Sequence, residues 1–197
     1  MIWKAVLLTL ACGFFMPSVM AARGERPRTV AQVDLSRYLA KWYEIARYPN
    51  RFQSSCAGDV TATYEMEKPG RLRVVNSCRS SSGELKEAEG VARVEAGSGG
   101  ARLKVRFAPG FLSFLPFVWG DYWILELDSD YQWVVVGTPD RKYLWILSRQ
   151  PQLDPAVYDM LIDRIRAQGF DPGRLVRTSQ NGALQKASEL TMHGGRG

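Results

Sequence analysis

Residues able to do chemistry are scarce in this chain of 197 residues, and the scarcity narrows what it can do. The single histidine, His193, lies in a polar C-terminal stretch. A Ser-His-Asp triad, a Cys-His pair and a histidine-ligated zinc or haem all lose their central residue. Three cysteines are present, Cys12, Cys56 and Cys78. Cys12 falls in the N-terminal apolar run, and the other two alone do not make a metal site. No catalytic residue, metal or other cofactor is expected. An even pair of cysteines in an exported chain reads as a disulfide, Cys56 to Cys78.

Export is the expectation from the N-terminus. Met1 to Lys4 carries one lysine, Ala5 to Met16 is uncharged and apolar, and Pro17-Ser18-Val19-Met20-Ala21 ends in a small-x-small cleavage signal. This is the anatomy of a secretory signal peptide over 1–21, with an apolar run too short to span a bilayer. Cys12 raises a competing reading as an acylated lipoprotein cysteine. Thr9-Leu10-Ala11-Cys12 lacks the leucine expected three residues before it, so this reading ranks second.

About 175 residues remain, enough for one domain with a sizeable core. The formal net charge is +6, but the basic residues are scattered singly, as at Arg71, Arg73, Arg93, Arg102, Lys104 and Arg106. Without a basic run, nucleic acid is not an expected partner, while attraction to anionic membrane lipid stays compatible.

The elements that must position any site are strands. From Trp42 to Arg149, short segments alternate apolar and polar residues and are separated by turn residues. Eight strands are expected at 41–48, 58–66, 71–79, 88–95, 101–108, 120–127, 132–137 and 142–149. The closely spaced turns favour an up-and-down antiparallel order. Leu103, Val105 and Phe107 share one face while Arg102, Lys104 and Arg106 share the other. An apolar inside with a charged outside is the reverse of an outer-membrane barrel. Asp154 as N-cap, Pro155 and the spacing of Tyr158, Leu161, Ile162 and Ile165 predict one helix, stopped by Gly169 and packed outside the sheet. Residues 173–180 can add a short final strand, and 181–197 reads as a disordered tail.

These segments resemble a known family. Tyr38-Leu39-Ala40-Lys41-Trp42-Tyr43-Glu44-Ile45-Ala46-Arg47 is similar to the first signature of the lipocalins, most closely the bacterial lipocalins related to apolipoprotein D. Val60 to Tyr64, Leu103 to Phe107, Asp121-Tyr122-Trp123 and Tyr143 to Arg149 continue the likeness in order, over roughly residues 33–180. One departure is Ala40, where the family usually has glycine. The resemblance implies an all-β, eight-stranded lipocalin barrel, closed at one end and open at the other. Trp42 and Arg149 would meet at the closed floor as a structural pair. Such a barrel is just wide enough inside for one small ligand.

With Trp42 at the floor, the loops after the first, third, fifth and seventh strands rim the mouth. Cys56 and Cys78 would then form a cross-strand bridge at the open end. The loop from Ala108 to Trp119 carries seven large apolar residues among twelve, including Phe111, Phe114, Phe117 and Trp119. Three readings stand side by side: a lid folded inwards, a contact with a membrane surface, or a homodimer patch. The inside parity gives a ligand-binding lining of Tyr64, Val74, Ala92, Val105, Phe107, Tyr122, Ile124, Val134, Val136, Trp145 and Leu147. By the same parity Glu44 and Glu126 point inwards, and a carboxylate there is costly unless paired, with Arg149 or a ligand head group as partner. An apolar, aromatic-walled interior with few polar groups suits a fatty acid or lysophospholipid-like ligand. The expectation is a non-catalytic lipid-binding lipocalin of the periplasm, associated with the outer membrane, that stores or transports such ligands. The alternative is a lipocalin-fold enzyme acting on an apolar substrate, with Glu44, Glu126 and tyrosines as its only acid or base groups.

Overall fold

A computed structural model describes residues 25–182 of the chain. The expected leader, Cys12, and the tail from 183 onwards, with His193, lie outside the described residues.

The alternating segments do form strands: β1 (Ala40–Arg47), β2 (Gly58–Lys68), β3 (Arg71–Arg79), β4 (Leu85–Val94), β5 (Arg102–Arg106), β6 (Gly120–Leu127), β7 (Trp133–Gly137) and β8 (Leu144–Ser148). Each pairs antiparallel with its sequence neighbour, and β1 pairs with both β8 and β2, so the sheet closes into an eight-stranded barrel. A ninth strand, β9 (Val176–Arg177), lies on the upper half of β1. Its continuation reaches β2: Thr178 N donates to Ile45 O, and Asp59 N donates to Ser179 O. Residues 176–179 thus fill the gap between β1 and β2 near the mouth.

Besides two irregularities near the ends of β2, one bulge in β1 and one in β6 interrupt the alternation. Glu44 faces Leu147 and Ala46 faces Ile146, leaving Ile45 unmatched. Ile124 faces Val136 and Glu126 faces Val135, leaving Leu125 unmatched. An extra residue in a pleated strand moves every following side chain to the opposite face.

Apolar side chains pack on both faces of one side of the barrel. Trp42, Tyr64, Leu72, Val74, Leu103, Ile124, Val134 and Val136 fill the inside. On the outside, Ile45, Ala46, Trp133, Val135 and Ile146 are covered by α2 (Pro155–Ala167) through Leu161 and Ile165. Burying those two side chains stabilises the helix contact by roughly 2–3 kcal/mol each. Asp154 caps the helix by accepting from Ala156 N and Val157 N, with Pro155 at the first position. Gly169, at φ +80, ends it.

The floor is built by the segment that precedes the barrel. Val30 N and Val33 N donate to the carbonyls of Ile124 and Gly99, and α1 (Leu35–Tyr38) buries Tyr38 beneath the strands. The turn at 97–100 can receive this segment because Gly99 and Gly100, which meet it, carry no side chains. A Cβ on Gly99, which has φ +59, would run into the Ala31 carbonyl oxygen.

Candidate functional site

The structure brings together the floor residues named from the sequence. The Arg149 guanidinium lies 3.8 Å from the centre of the Trp42 ring. Its three nitrogens donate to the carbonyls of Tyr131, Lys41 and Arg37 at 3.3, 2.9 and 2.7 Å. Trp42 Nε1 donates to Tyr38 O, so floor and α1 are tied together.

Above the floor three phenols meet. Tyr38 and Tyr122 share a hydroxyl hydrogen bond of 2.7 Å, and Tyr64 donates to Tyr122 at 2.8 Å. Burial pushes Tyr64 up to about 12 and carries Tyr38 and Tyr122 well above the ordinary phenol value. At neutral pH they are hydrogen-bond donors rather than bases. Three hydroxyl protons serve two bonds, so Tyr122 is the hub of the cluster.

The lining named from parity divides into two zones. Tyr64, Val74, Ile124, Val134, Val136 and Leu147 are buried core. Val105 and Trp145 point inwards yet stay partly exposed, as does part of Tyr122 away from its hydroxyl, which Tyr38 and Tyr64 engage, so the upper interior is reached by solvent. Phe107 stands at the rim, 42% exposed, with its ring over Gly90, where any side chain would collide with it. A groove of about 350 Å³ runs beside this ring between Glu89 and Pro109, on the rim rather than down the barrel.

The two inward carboxylates expected from parity fare differently. Glu44 is inside and nearly fully buried, but Arg149 is not its partner. Arg47 Nη1 donates to Glu44 Oε1 at 2.8 Å, Thr178 Oγ1 to the same oxygen at 2.5 Å, and Gln53 Nε2 to Oε2 at 2.6 Å. Trp145 Nε1 in turn donates to Gln53 Oε1. Glu126 corrects the parity reading: the bulge at Leu125 turns it outwards, where Arg164 and Gln168 of the helix region bind its carboxylate. The bulge at Ile45 does the opposite for Arg47 and brings it inside. No run of residue types announces a bulge, so strict alternation missed both. Thr178 joins the site from 134 residues later and Gln53 from the loop after β1, and nothing in their local sequence marks them.

At the mouth, Cys56 and Cys78 form the expected disulfide, joining the loop before β2 to the end of β3. Phe111, Phe114 and Phe117 are 76–79% exposed, so the loop between β5 and β6 is not an inward lid. Trp119 behaves differently from them. Its indole lies against the outer face with Arg93 and Arg106 at 3.8 and 5.2 Å, and its Nε1 donates to Ser113 O. That anchor holds the loop while its phenyl rings face solvent. Phe52, in the loop after β1, and Leu85, at the start of β4, are also exposed at this end of the barrel.

A closed antiparallel barrel with a sealed floor, an apolar interior and an open mouth defines a calyx-type binder of small molecules. The description "Lipocalin-like domain" fits residues 33–180 of the chain. The chain belongs to the lipocalin family. It is 40% identical over 154 residues to temperature-induced lipocalin-1 of Arabidopsis thaliana, covering 77% of this chain and 82% of that one. It is 38% identical to the outer membrane lipoprotein Blc of Vibrio cholerae, covering 79% and 88% respectively. Apolipoprotein D of Mus musculus is 29% identical, with 78% and 80% covered. The barrel superimposes on insecticyanin from the tobacco hornworm Manduca sexta with a TM-score of 0.60 at 20% identity, over 79% of this chain and 84% of that one, a likeness of fold.

Proposed function

We propose that this protein is a non-catalytic carrier or store of a single-chain apolar ligand, of the fatty acid or lysophospholipid kind, held in the barrel. The observation that carries the reading is the graded interior, buried apolar core below and solvent-reached Val105 and Trp145 above. A chain inserted from the mouth would gain about 0.8 kcal/mol per buried methylene before the costs of ordering. Against the enzyme alternative, Glu44 is fully engaged by Arg47, Gln53 and Thr178, Glu126 faces the helix, and the inner phenols are neutral.

The lipocalin unit over 33–180 follows an expected leader over 1–21, and that leader supports an exported compartment for the mature protein. The relative named an outer membrane lipoprotein supports the periplasm and the outer membrane in particular. Acylation at Cys12 is the lesser variant of this reading. The exposed phenyl rim favours contact with a membrane surface, where ligand would be loaded, over a homodimer patch.

The test is native mass spectrometry of protein isolated from its own cell envelope. A co-purifying lipid of one-to-one stoichiometry is the expected result. An empty barrel that also ignores fluorescent fatty acids would overturn the reading.

A further inference from the structure

Arg47 is inside the barrel because of one extra residue. Without the bulge at Ile45 it would stand opposite Leu144, on the outer face beneath α2. With it, Arg47 faces Trp145, and Trp145 packs towards the inner cluster. The guanidinium is therefore on the lumen side, its side chain only 15% exposed. One edge is occupied, because Nη1 donates to both Glu44 and Thr178. The other edge is not. Nε is buried without a hydrogen-bond partner, and Nη2 has no acceptor among the described residues. Nε–H and Nη2–H of a guanidinium point in parallel, the spacing that matches two oxygens of one carboxylate or phosphate. A buried donor without an acceptor is destabilising, and a ligand oxygen would relieve it.

Among the described residues, the other cation of the interior and the three phenols are already engaged. Arg149 has all three nitrogens on backbone carbonyls and its face on Trp42. The phenols are neutral, and Tyr38 and Tyr64 are both turned to Tyr122.

Resting on the carrier reading above, we infer that the ligand is a single-chain anionic amphiphile bound tail-down, with the paired oxygens of its carboxylate or phosphate on the Nε/Nη2 edge of Arg47. Glu44 tunes the site. By compensating the guanidinium from its other edge, it weakens the pull on an anion and leaves the hydrogen-bond pair as the main recognition.

The experiment compares dissociation constants of dodecanoate, dodecyl phosphate and dodecanol for the full mature protein, followed by tryptophan fluorescence. The wild type should bind at least one anion about tenfold or more tighter than the alcohol, and the tighter anion tells carboxylate from phosphate. Arg47→Gln should reduce that ratio to near one. Because it also leaves Glu44 buried without its cation, the double variant Glu44→Gln/Arg47→Gln repeats the test with a neutral pair. Glu44→Gln alone should raise the anion-to-alcohol ratio. Equal binding of all three ligands by the wild type overturns the anchor and leaves the carrier reading standing. So does an anion preference that survives both Arg47 variants, or a ratio that falls in Glu44→Gln. Refusal of all three ligands overturns the carrier reading and the anchor with it.

Discussion

Arg149 stacks on Trp42 and, in the same pose, donates to the carbonyls of Arg37, Lys41 and Tyr131. One side chain thereby joins α1, the start of β1 and the turn before β7. A lysine can reproduce the charge but neither the planar stack nor the three-way fork. Arg149→Lys is expected to lower unfolding stability by about 2–3 kcal/mol, measured by urea denaturation. A loss below about 0.5 kcal/mol, the range of ordinary surface changes, would show that the floor does not depend on it.

The phenol cluster predicts an asymmetry between two similar substitutions. Tyr64→Phe removes one donor and its single bond. Tyr122→Phe leaves both Tyr38 and Tyr64 without a partner, and should cost about 1–2 kcal/mol more. Equal costs would remove Tyr122 from its place as hub.

The same cluster sets a pH dependence. Below the ordinary phenol value of 10 both the folded and unfolded chains keep these protons, so stability there is unaffected. Above it the unfolded chain releases protons that the native state holds. Each retained proton then costs about 1.4 kcal/mol per pH unit until the folded value is reached. For Tyr64 that window closes at about 12. Denaturation midpoints should therefore fall steeply as pH rises through 10 to 12, and Tyr64→Phe should flatten the slope. Midpoints constant across that window would show the phenols to be solvated.

Ala40 adopts φ +71, a left-handed conformation that disfavours any residue with a Cβ. Glycine is the family's usual residue there, and the structure explains why: the chain turns sharply between α1 and β1. Ala40→Gly is expected to raise stability by about 0.5–1 kcal/mol, the relief of strain exceeding the added flexibility of the unfolded chain. Thermal denaturation checks it, and a lowered midpoint would show that the turn is not strained.

Opening the Cys56–Cys78 bridge, with a sequence separation of 22 residues, should cost about 3 kcal/mol in the chain-entropy account. The double Cys→Ser variant, compared with the oxidised protein in urea, measures it. Because the bridge sits at the rim, ligand uptake should suffer before the floor unfolds.

For the rim itself, Phe111→Ser, Phe114→Ser and Phe117→Ser together should abolish co-sedimentation with anionic phospholipid vesicles. Their high exposure means stability should shift by no more than about 0.5 kcal/mol. Retained vesicle binding, or loss of a dimer in its place, would reassign the patch.

The barrel was legible because a sheet with one wet face writes its register into alternation, as in Arg102 to Arg106. Helix α2 was legible from Asp154, Pro155 and its apolar stripe. The site was less so. A single unmatched residue at Ile45 or Leu125 reverses which face the following side chains take, and it has no compositional mark. Arg47 and Glu126 therefore changed places relative to strict alternation. Tyr38 lies within the Tyr38–Arg47 signature, but its place under the barrel depends on α1 and on the contact of Gly99 and Gly100 with the N-terminal segment. Such contacts between distant segments leave no local trace.

The strand that fills the upper gap between β1 and β2 has a consequence for the order of events in the life of the chain. Gln180 donates to the carbonyls of Glu44 and Val60, the first of them 136 residues earlier. β1 emerges from the ribosome early, and the segment that locks its upper edge emerges after the rest of the barrel has been made. Contacts of such long range form late, since the entropy of closing the loop must be overcome first. The pairing of β1 with β2 and β8 can close the lower barrel first, and the mouth-side edge of β1 is completed only when residues 176–180 have been made.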